Sequence, residues 1–251
     1  KNENVGYLLV GDENFGSNKK VSSELAVELN NLGFKWFVGG VRASTIDKES
    51  LQHWSDNGCV VVLFGIESGS PAMLNVMEKK VTREQNIEAI KWTYEAGLQT
   101  VIQLVVGMPG ETDKTISETI SFLLECMPYY SQGFRKKRDV VMSLNYAQAL
   151  PGTPLYEYAR NNGFLGSSDV GEEEYLKNIS DTDAYKTDHF INYTDQPLLK
   201  VLGWRYWIRW ELFRYHTKNN LGIKINKVNI ILTLVIIIIR LFTNKIFKLN
   251  F

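Results

Sequence analysis

The chain is poor in the residues that build metal sites and disulfide frameworks. It has only two cysteines, Cys59 and Cys126, and its three histidines are scattered without a zinc-like spacing. Two thiols are too few for a disulfide framework or for a four-ligand metal site within this chain. Both cysteines fall in predicted core elements, where a small buried thiol is the usual explanation. We therefore predict no metal ligands in this chain.

An excess of charge of either sign is also missing. Lysine plus arginine is 28 and aspartate plus glutamate is 28, so the formal net charge is zero. That balance argues against a nucleic-acid binder that works by bulk charge. Hydrophobic residues make up 44% of the 251 residues and charged residues 22%. A packed core is therefore expected, in one large domain or one domain with an appendage.

A secretory signal peptide is absent as well, so we expect a cytoplasmic protein. The sequence starts at Lys1, not at methionine, and residues 5–10 already have the pattern of a buried strand. A chain that begins at a core strand is expected to be a fragment of a longer protein.

Short apolar runs alternate with amphipathic runs over the first 150 residues. Five of the apolar runs are typical of strands: residues 5–10, 35–41, 59–64, 99–106 and 140–147. Capping-box pairs, Thr82 with Gln85 and Thr115 with Glu118, predict the starts of two of the intervening helices. Strands that alternate with helices indicate parallel βα units with right-handed crossovers. The predicted fold class is therefore α/β.

Composition divides the chain into three segments. Residues 1–150 hold the βα units, residues 151–195 are predicted as a loop-rich extension, and residues 196–251 as a mainly helical tail. The tail is aromatic and basic at first, and its residues 228–239 then carry no charge. That run is shorter than the about 20 apolar residues of a spanning helix. A buried or intersubunit helix, an interfacial membrane helix and a true span all stay open for it.

The segments that follow the apolar runs are rich in glycine and carboxylates. In parallel α/β folds, ligands bind at the carboxyl ends of the strands. Glycines there let the backbone approach a ligand, carboxylates can accept hydrogen bonds from ribose hydroxyls or an ammonium group, and Arg42 can bind a carboxylate in bidentate fashion. Structural roles are open too: Asp12 in a turn, Arg42 on the surface, and Glu111 near a helix N-terminus. Glu67 fits a structural role least, because it follows a fully apolar strand and stands between glycines.

Several motifs, in order and at this spacing, resemble the radical S-adenosylmethionine (SAM) superfamily. They are Phe64-Gly65-Ile66-Glu67-Ser68-Gly69-Ser70, Val76-Met77-Glu78-Lys79, Gln85-Asn86-Ile87-Glu88-Ala89-Ile90 and Gly107-Met108-Pro109-Gly110-Glu111-Thr112. The resemblance covers residues 5–165. It is closest to the branch that often carries an N-terminal cobalamin-binding domain, which residues 11–15 and 150–156 also fit.

The resemblance implies a partial (β/α)6 TIM-like barrel with S-adenosylmethionine and a [4Fe–4S] cluster at its mouth. In this family the cofactors carry the difficult chemistry, and the protein supplies orientation and excludes water. The expected reaction is hydrogen abstraction by a 5′-deoxyadenosyl radical, or methyl transfer, at an unactivated carbon of a small-molecule or lipid-like substrate. Cobalamin is a further candidate cofactor, and flavodoxin or ferredoxin a candidate electron donor.

The resemblance and the strand-end pattern together predict eight cofactor-binding residues. They are Asp12, Glu13, Arg42, Glu67, Ser68, Val105, Gly107 and Gln148. By similarity, Asp12 and Glu13 match the place where the family binds the methionyl ammonium group. Glu67 and Ser68 match contacts to the ribose or the amino acid part, and Val105 lies in the strand that flanks adenine.

The three cluster cysteines of the family, spaced three and two residues apart, have no counterpart here. Five strands are present where the family has six, so truncation upstream of Lys1 is the simplest account. The alternative is a cluster-less, non-catalytic homologue that binds a ligand or a partner as a scaffold. An ordinary TIM-barrel enzyme fits less well, because only five or six strands can be placed. Tryptophan, tyrosine and arginine in residues 204–215 suit a membrane interface, so we expect a cytoplasmic enzyme whose tail docks on a membrane surface.

Overall fold

The computed structural model describes residues 6–12, 14–130, 142–166, 169–180, 184, 186–187 and 190–220. Internal contacts divide the chain into two compact units, Lys1–Tyr206 and Trp207–Phe251. The described strands are β1 (Tyr7–Val10), β2 (Lys35–Val41), β3 (Cys59–Glu67), β4 (Gln99–Val106) and β5 (Met142–Tyr146). The described helices are α1 (Lys19–Asn31), α2 (Lys48–Asp56), α3 (Pro71–Val76), α4 (Arg83–Glu95), α5 (Asp113–Tyr130), α6 (Pro154–Asn161), α7 (Asp169–Ser180) and α8 (Leu198–Asn220).

The five strands form one parallel sheet in the order β1-β2-β3-β4-β5. Each strand follows its neighbour after a helical connection, as in a half-barrel of βα units. This confirms the predicted fold class, a partial TIM-like barrel. Because all the strands are parallel, their carboxyl ends lie at the same edge of the sheet. Residues that follow the strands are therefore brought to that edge.

The prediction that the first strand is buried is wrong for the described part of it. In β1, Tyr7 is 62% exposed and Leu9 is 60% exposed. The reason is its position at the edge, since β2 is its hydrogen-bonded neighbour among the described strands. By contrast β3 and β4 have a strand on each side, and their residues Phe64 and Ile102 are fully buried.

Side chains cap the starts of α2, α4 and α5, and one of the two predicted capping boxes is present. Asp47 accepts a hydrogen bond from the backbone N–H of Ser50 (2.8 Å), and the capping box at the start of α4 is present as predicted. The predicted capping box that begins at Thr115 is wrong, because α5 already starts at Asp113. Thr112 is the residue that caps this helix: its N–H donates to the Thr115 hydroxyl (2.9 Å), and its own hydroxyl accepts from the Thr115 N–H (3.4 Å).

The segment after β5 packs at the carboxyl end of that strand. Its small core is built from residues that follow β5, from α6 and the turn after it, from α7 and from the chain beyond: Ala147, Ala149, Tyr156, Ala159, Leu165, Tyr175 and Tyr193. The Tyr175 hydroxyl donates to the backbone oxygen of Ala149 (2.9 Å). The first part of α8 is fixed to the start of α5, since Trp204 Nε1 donates to Asp113 Oδ1 (2.8 Å).

The end of the predicted tail, residues 221–251, lies outside the described residues, and this includes the uncharged run 228–239. Among the helices that are described, none has the length and apolar character that a membrane crossing requires. Docking of the tail on a membrane stays a prediction.

Candidate functional site

A cavity of about 710 Å³ opens at the carboxyl edge of the sheet. It is bordered by the ends of β3, β4 and β5, by the loop after α3, and by the start of α6. Most of its lining is apolar, and the side chains with polar groups are few: Glu67, Glu78, Lys79, Asn145, Gln148, Thr153 and the tyrosines Tyr146 and Tyr158. A mostly apolar cavity with a few polar groups, in this size range, is typical of small-molecule sites.

Glu67 ends β3 in an unusual backbone conformation. Its φ is 63°, in the left-handed region, and the pairing of β3 with β4 shifts register between Gly65 and Glu67. A left-handed non-glycine residue costs about 1–2 kcal/mol, and such strain is often found at functional sites. A Cβ at position 65 would lie 2.9 Å from Glu67 Oε1. Glycine at position 65 therefore leaves room for the Glu67 carboxylate.

The Glu67 carboxylate is paired with Lys79, a residue for which the sequence predicted no role. Lys79 Nζ lies 2.9 Å from Glu67 Oε1, and the two side chains are only 26% and 22% exposed. Lys79 follows α3, and its neighbours Glu78 and Lys80 both have positive φ, 51° and 49°. Lys79 was part of a motif that carries the family resemblance, but its approach to Glu67 depends on how this loop turns.

Ser68 and the two residues after it face α5. Ser68 is 1% exposed, and its hydroxyl lies 3.0 Å from that of Thr119. The N–H of Gly69 donates to the same Thr119 hydroxyl (3.1 Å). A Cβ on Gly69 would lie 2.4 Å from Phe122 Cβ, so only glycine lets this loop pack against α5. Ser68 does not line the cavity, and its contact with a cofactor stays a prediction.

The turn after β4 is held by a buried carboxyl group. The N–H of Gly107 donates to Glu111 Oε2 (2.5 Å), and Glu111 is 2% exposed. Burial raises the pKa of Glu111 to about 7, although hydrogen bonds from the N–H groups of Gly107 and Met108 lower it. Glu111 therefore has a structural role in this turn, while Val105, Met108 and Pro109 line the cavity.

Other predicted residues lie at the same edge of the sheet but do not line the cavity. Asp12 is exposed, and its Oδ1 accepts from the N–H of Asn14 (3.0 Å), as expected for a turn. Arg42 is exposed and precedes a short 3-10 turn without capping it through its side chain. Glu13 lies outside the described residues. The structure brings three of the eight predicted residues together around the cavity: Glu67, Val105 and Gln148.

One wall of the cavity comes from residues to which the sequence assigned no cofactor contact. The wall is lined by Leu150, Leu155 and Tyr158, in α6 and just before it, and by Tyr146 at the end of β5. Residues 150–156 had been noted for their resemblance to the family, but only the folded chain shows that they border the same cavity as Glu67.

The described residues do not supply the ligands of an iron–sulfur cluster. Among them, no group of three or more histidine, cysteine, aspartate or glutamate side chains could hold a metal ion. Cys59 and Cys126 are buried, and burial raises the pKa of each thiol to about 12. Thiolates, not thiols, are the metal-binding form. This part of the chain therefore does not fit a [4Fe–4S] cluster.

Comparison with known families assigns the segment that holds β1 to β4. Residues 2–123 match the family model described as the radical SAM superfamily. The match assigns residues 2–123 to this family. This family uses S-adenosylmethionine and a [4Fe–4S] cluster, and the match supports an enzyme.

Curated relatives support the same assignment. The chain is 31% identical over 157 residues to an uncharacterized methyltransferase of Pyrococcus horikoshii, an alignment that covers 61% of this chain and 31% of the relative. It is 28% identical over 168 residues to the anaerobic magnesium-protoporphyrin IX monomethyl ester cyclase of Cereibacter sphaeroides. That alignment covers 60% of this chain and 27% of the relative. The chain thus spans less than a third of the length of these relatives.

A solved structure has a similar fold. TsrM of Kitasatospora setae, a radical S-adenosylmethionine methyltransferase with cobalamin and a [4Fe–4S] cluster bound, aligns with a TM-score of 0.51 and 20% identity. The alignment covers 64% of this chain and 32% of TsrM. At this identity the similarity supports the fold of the radical SAM domain.

Proposed function

We propose that the chain is part of a radical SAM enzyme and that its cavity binds S-adenosylmethionine. The observation that carries the proposal is the Glu67 carboxylate, which lies in the segment that matches the radical SAM family and is held in a strained conformation at a cavity of about 710 Å³. The carboxylate suits the hydrogen-bond donors of S-adenosylmethionine, its ribose hydroxyls and its ammonium group.

The residues around the cavity have separate tasks in this proposal. Glu67 accepts a hydrogen bond from the ribose or the ammonium group and thereby orients the molecule. Val105 and Met108 offer apolar surface to adenine, and the side chains of Leu155 and Tyr158 exclude water from one side. When bound beside a reduced cluster, S-adenosylmethionine supplies a carbon radical for hydrogen abstraction or a methyl group for transfer.

For the whole protein we propose a reaction at an unactivated carbon of a small-molecule or lipid-like substrate. A methyltransferase among the relatives supports methyl transfer. The cluster would be held by residues outside this chain, because the described residues do not fit one. Cobalamin as a second cofactor, and flavodoxin or ferredoxin as electron donor, complete the proposal.

The second candidate is a cluster-less scaffold that binds S-adenosylmethionine or a related ligand without turnover. The missing cluster ligands among the described residues favour it. Iron and sulfide analysis of the full-length protein after anaerobic reconstitution separates the two. About four irons per protein support the enzyme, and none supports the scaffold.

Isothermal titration of the chain with S-adenosylmethionine tests the cavity. We expect saturable binding that Glu67→Gln weakens by about ten- to a hundredfold, because a hydrogen bond to a charged group contributes about 1.5–3 kcal/mol. Glu84→Gln, an exposed glutamate on α4, is the matched control and should bind like the wild type. A folded chain that does not bind S-adenosylmethionine would contradict the proposal.

A further inference from the structure

The ion pair between Lys79 and Glu67 is placed differently from the other lysine–glutamate pairs of the described chain. Both of its side chains line the cavity, and each is about three-quarters buried. The pair between Lys177 and Glu173 is 73% and 68% exposed. Water and salt weaken an exposed pair much more than a partly buried one. The Lys79–Glu67 pair therefore constrains its side chains more firmly than a surface pair does.

A helix-ending turn brings Lys79 to this position. The N–H of Glu78 donates to the backbone oxygen of Asn75 (3.0 Å), and the N–H of Lys79 donates to the backbone oxygen of Leu74 (3.0 Å). With Glu78 at φ 51°, these bonds form a Schellman motif, in which glycine is the usual left-handed residue. Glu78 occupies this left-handed position although it is not glycine, and Lys79 is the next residue in the chain.

The backbone on the other side of the pair is strained too. The described non-glycine residues with positive φ are Glu67, Glu78 and Lys80, which are one member of the pair and the two neighbours of the other. Position 65 is restricted to a small residue by the same contact, because a Cβ there would lie 2.9 Å from Glu67 Oε1 and 3.9 Å from Lys79 Nζ. Strain that gathers around one contact indicates that the surrounding structure enforces that contact.

The pair occupies one oxygen of the carboxylate. Lys79 donates to Oε1, while no hydrogen bond to Oε2 is formed within the described part of the chain. A carboxylate that is tethered through one oxygen keeps a fixed orientation and retains acceptor capacity on the other. Such a group can accept a hydrogen bond from a ligand without first having to be ordered.

We propose that Lys79 is a positioning residue: it fixes the Glu67 carboxylate for S-adenosylmethionine and does not contact the ligand itself. This inference rests on the proposed function of the cavity. It extends that proposal by making the binding strength of Glu67 depend on a second side chain. Loss of Lys79 then costs affinity only while Glu67 carries its charge.

A double-mutant cycle tests the inference, with S-adenosylmethionine titrated into the full chain. We expect Lys79→Met to weaken binding by about tenfold, since residues in contact couple by amounts of this order. Lys79→Arg should restore most of the affinity, because arginine keeps the charge and the donors. Lys80→Met is the matched control, an exposed lysine next in the chain, and should bind like the wild type. Thermal unfolding confirms that each variant is folded.

The combination of Glu67→Gln with Lys79→Met decides the role. If Lys79 acts through Glu67, the double variant binds as weakly as Glu67→Gln alone. Additive losses would overturn the inference, because they would mean that Lys79 contacts the ligand directly. Wild-type affinity of Lys79→Met beside a weakened Glu67→Gln would overturn it while leaving the proposed function intact. Absence of binding by the wild type would instead remove the proposed function, and the inference with it.

Discussion

Replacing Glu111 with glutamine should change how the stability of the chain depends on pH. Glu111 is 2% exposed and accepts a hydrogen bond from the N–H of Gly107. Burial raises its pKa from the ordinary 4.5 to about 7. The folded chain therefore keeps the proton up to about pH 7, whereas the unfolded chain releases it near pH 4.5.

The sign of the effect follows from this difference. Between the two pKa values the unfolded state binds fewer protons than the folded state, so the free energy of unfolding falls as the pH rises. The stabilisation is fully present below the unfolded pKa and is lost as the pH rises through the folded one. A rise from 4.5 to about 7 corresponds to a loss on the order of 3 kcal/mol, at about 1.4 kcal/mol per pKa unit.

Urea unfolding at pH 5 and pH 8, followed by tryptophan fluorescence, measures the effect. Glu111→Gln has a neutral side chain whose carbonyl oxygen can still accept from Gly107. Its free energy of unfolding, relative to the wild type, should be higher at pH 8 than at pH 5 by about 2–3 kcal/mol. Glu84→Gln, on the surface of α4, should show no such difference. If the free energy of unfolding changed by the same amount between pH 5 and pH 8 in Glu111→Gln and in the wild type, the reasoning would be refuted.

The remaining predictions concern glycine and left-handed backbone. Gly69→Ala should destabilise the chain by about 1–3 kcal/mol, because its Cβ would lie 2.4 Å from Phe122 Cβ. Gly203→Ala, in α8 with nothing within 4 Å of the added Cβ, should be neutral or stabilising. Lys80→Gly should stabilise by about 0.5–1 kcal/mol by relieving a φ of 49°, whereas Lys91→Gly inside α4 should cost about 1 kcal/mol. Thermal unfolding of the four variants checks these signs, and a stable Gly69→Ala or a destabilised Lys80→Gly would contradict them.

The sequence predicted those parts of the fold that depend on periodicity. Alternating apolar and amphipathic runs are enough to predict parallel βα units, and parallel strands bring residues such as Glu67 and Gln148 to one edge. Exposure of β1 could not be predicted in this way, because its apolar pattern does not show that it lies at the edge of the five described strands. A central strand and an edge strand can have the same apolar pattern in the sequence.

The site could be predicted only in part, because its geometry depends on irregular backbone. The register shift at the end of β3 decides that Glu67 lines the cavity and Ser68 faces α5. No period of two or 3.6 residues encodes such a bulge. Lys79 reaches Glu67 through a turn in which glutamate takes the left-handed conformation usual for glycine. The sequence of that turn contains no glycine that would have indicated it.

A crystal structure of the chain with S-adenosylmethionine tests the central claim most directly. We expect the ligand in the cavity at the ends of β3, β4 and β5, with a ribose hydroxyl or its ammonium group within hydrogen-bond distance of Glu67 Oε2. The Lys79 ammonium group should remain on Oε1, and Val105 should face the adenine. A ligand bound elsewhere on the chain, or bound in the cavity without a contact to Glu67, would contradict the account.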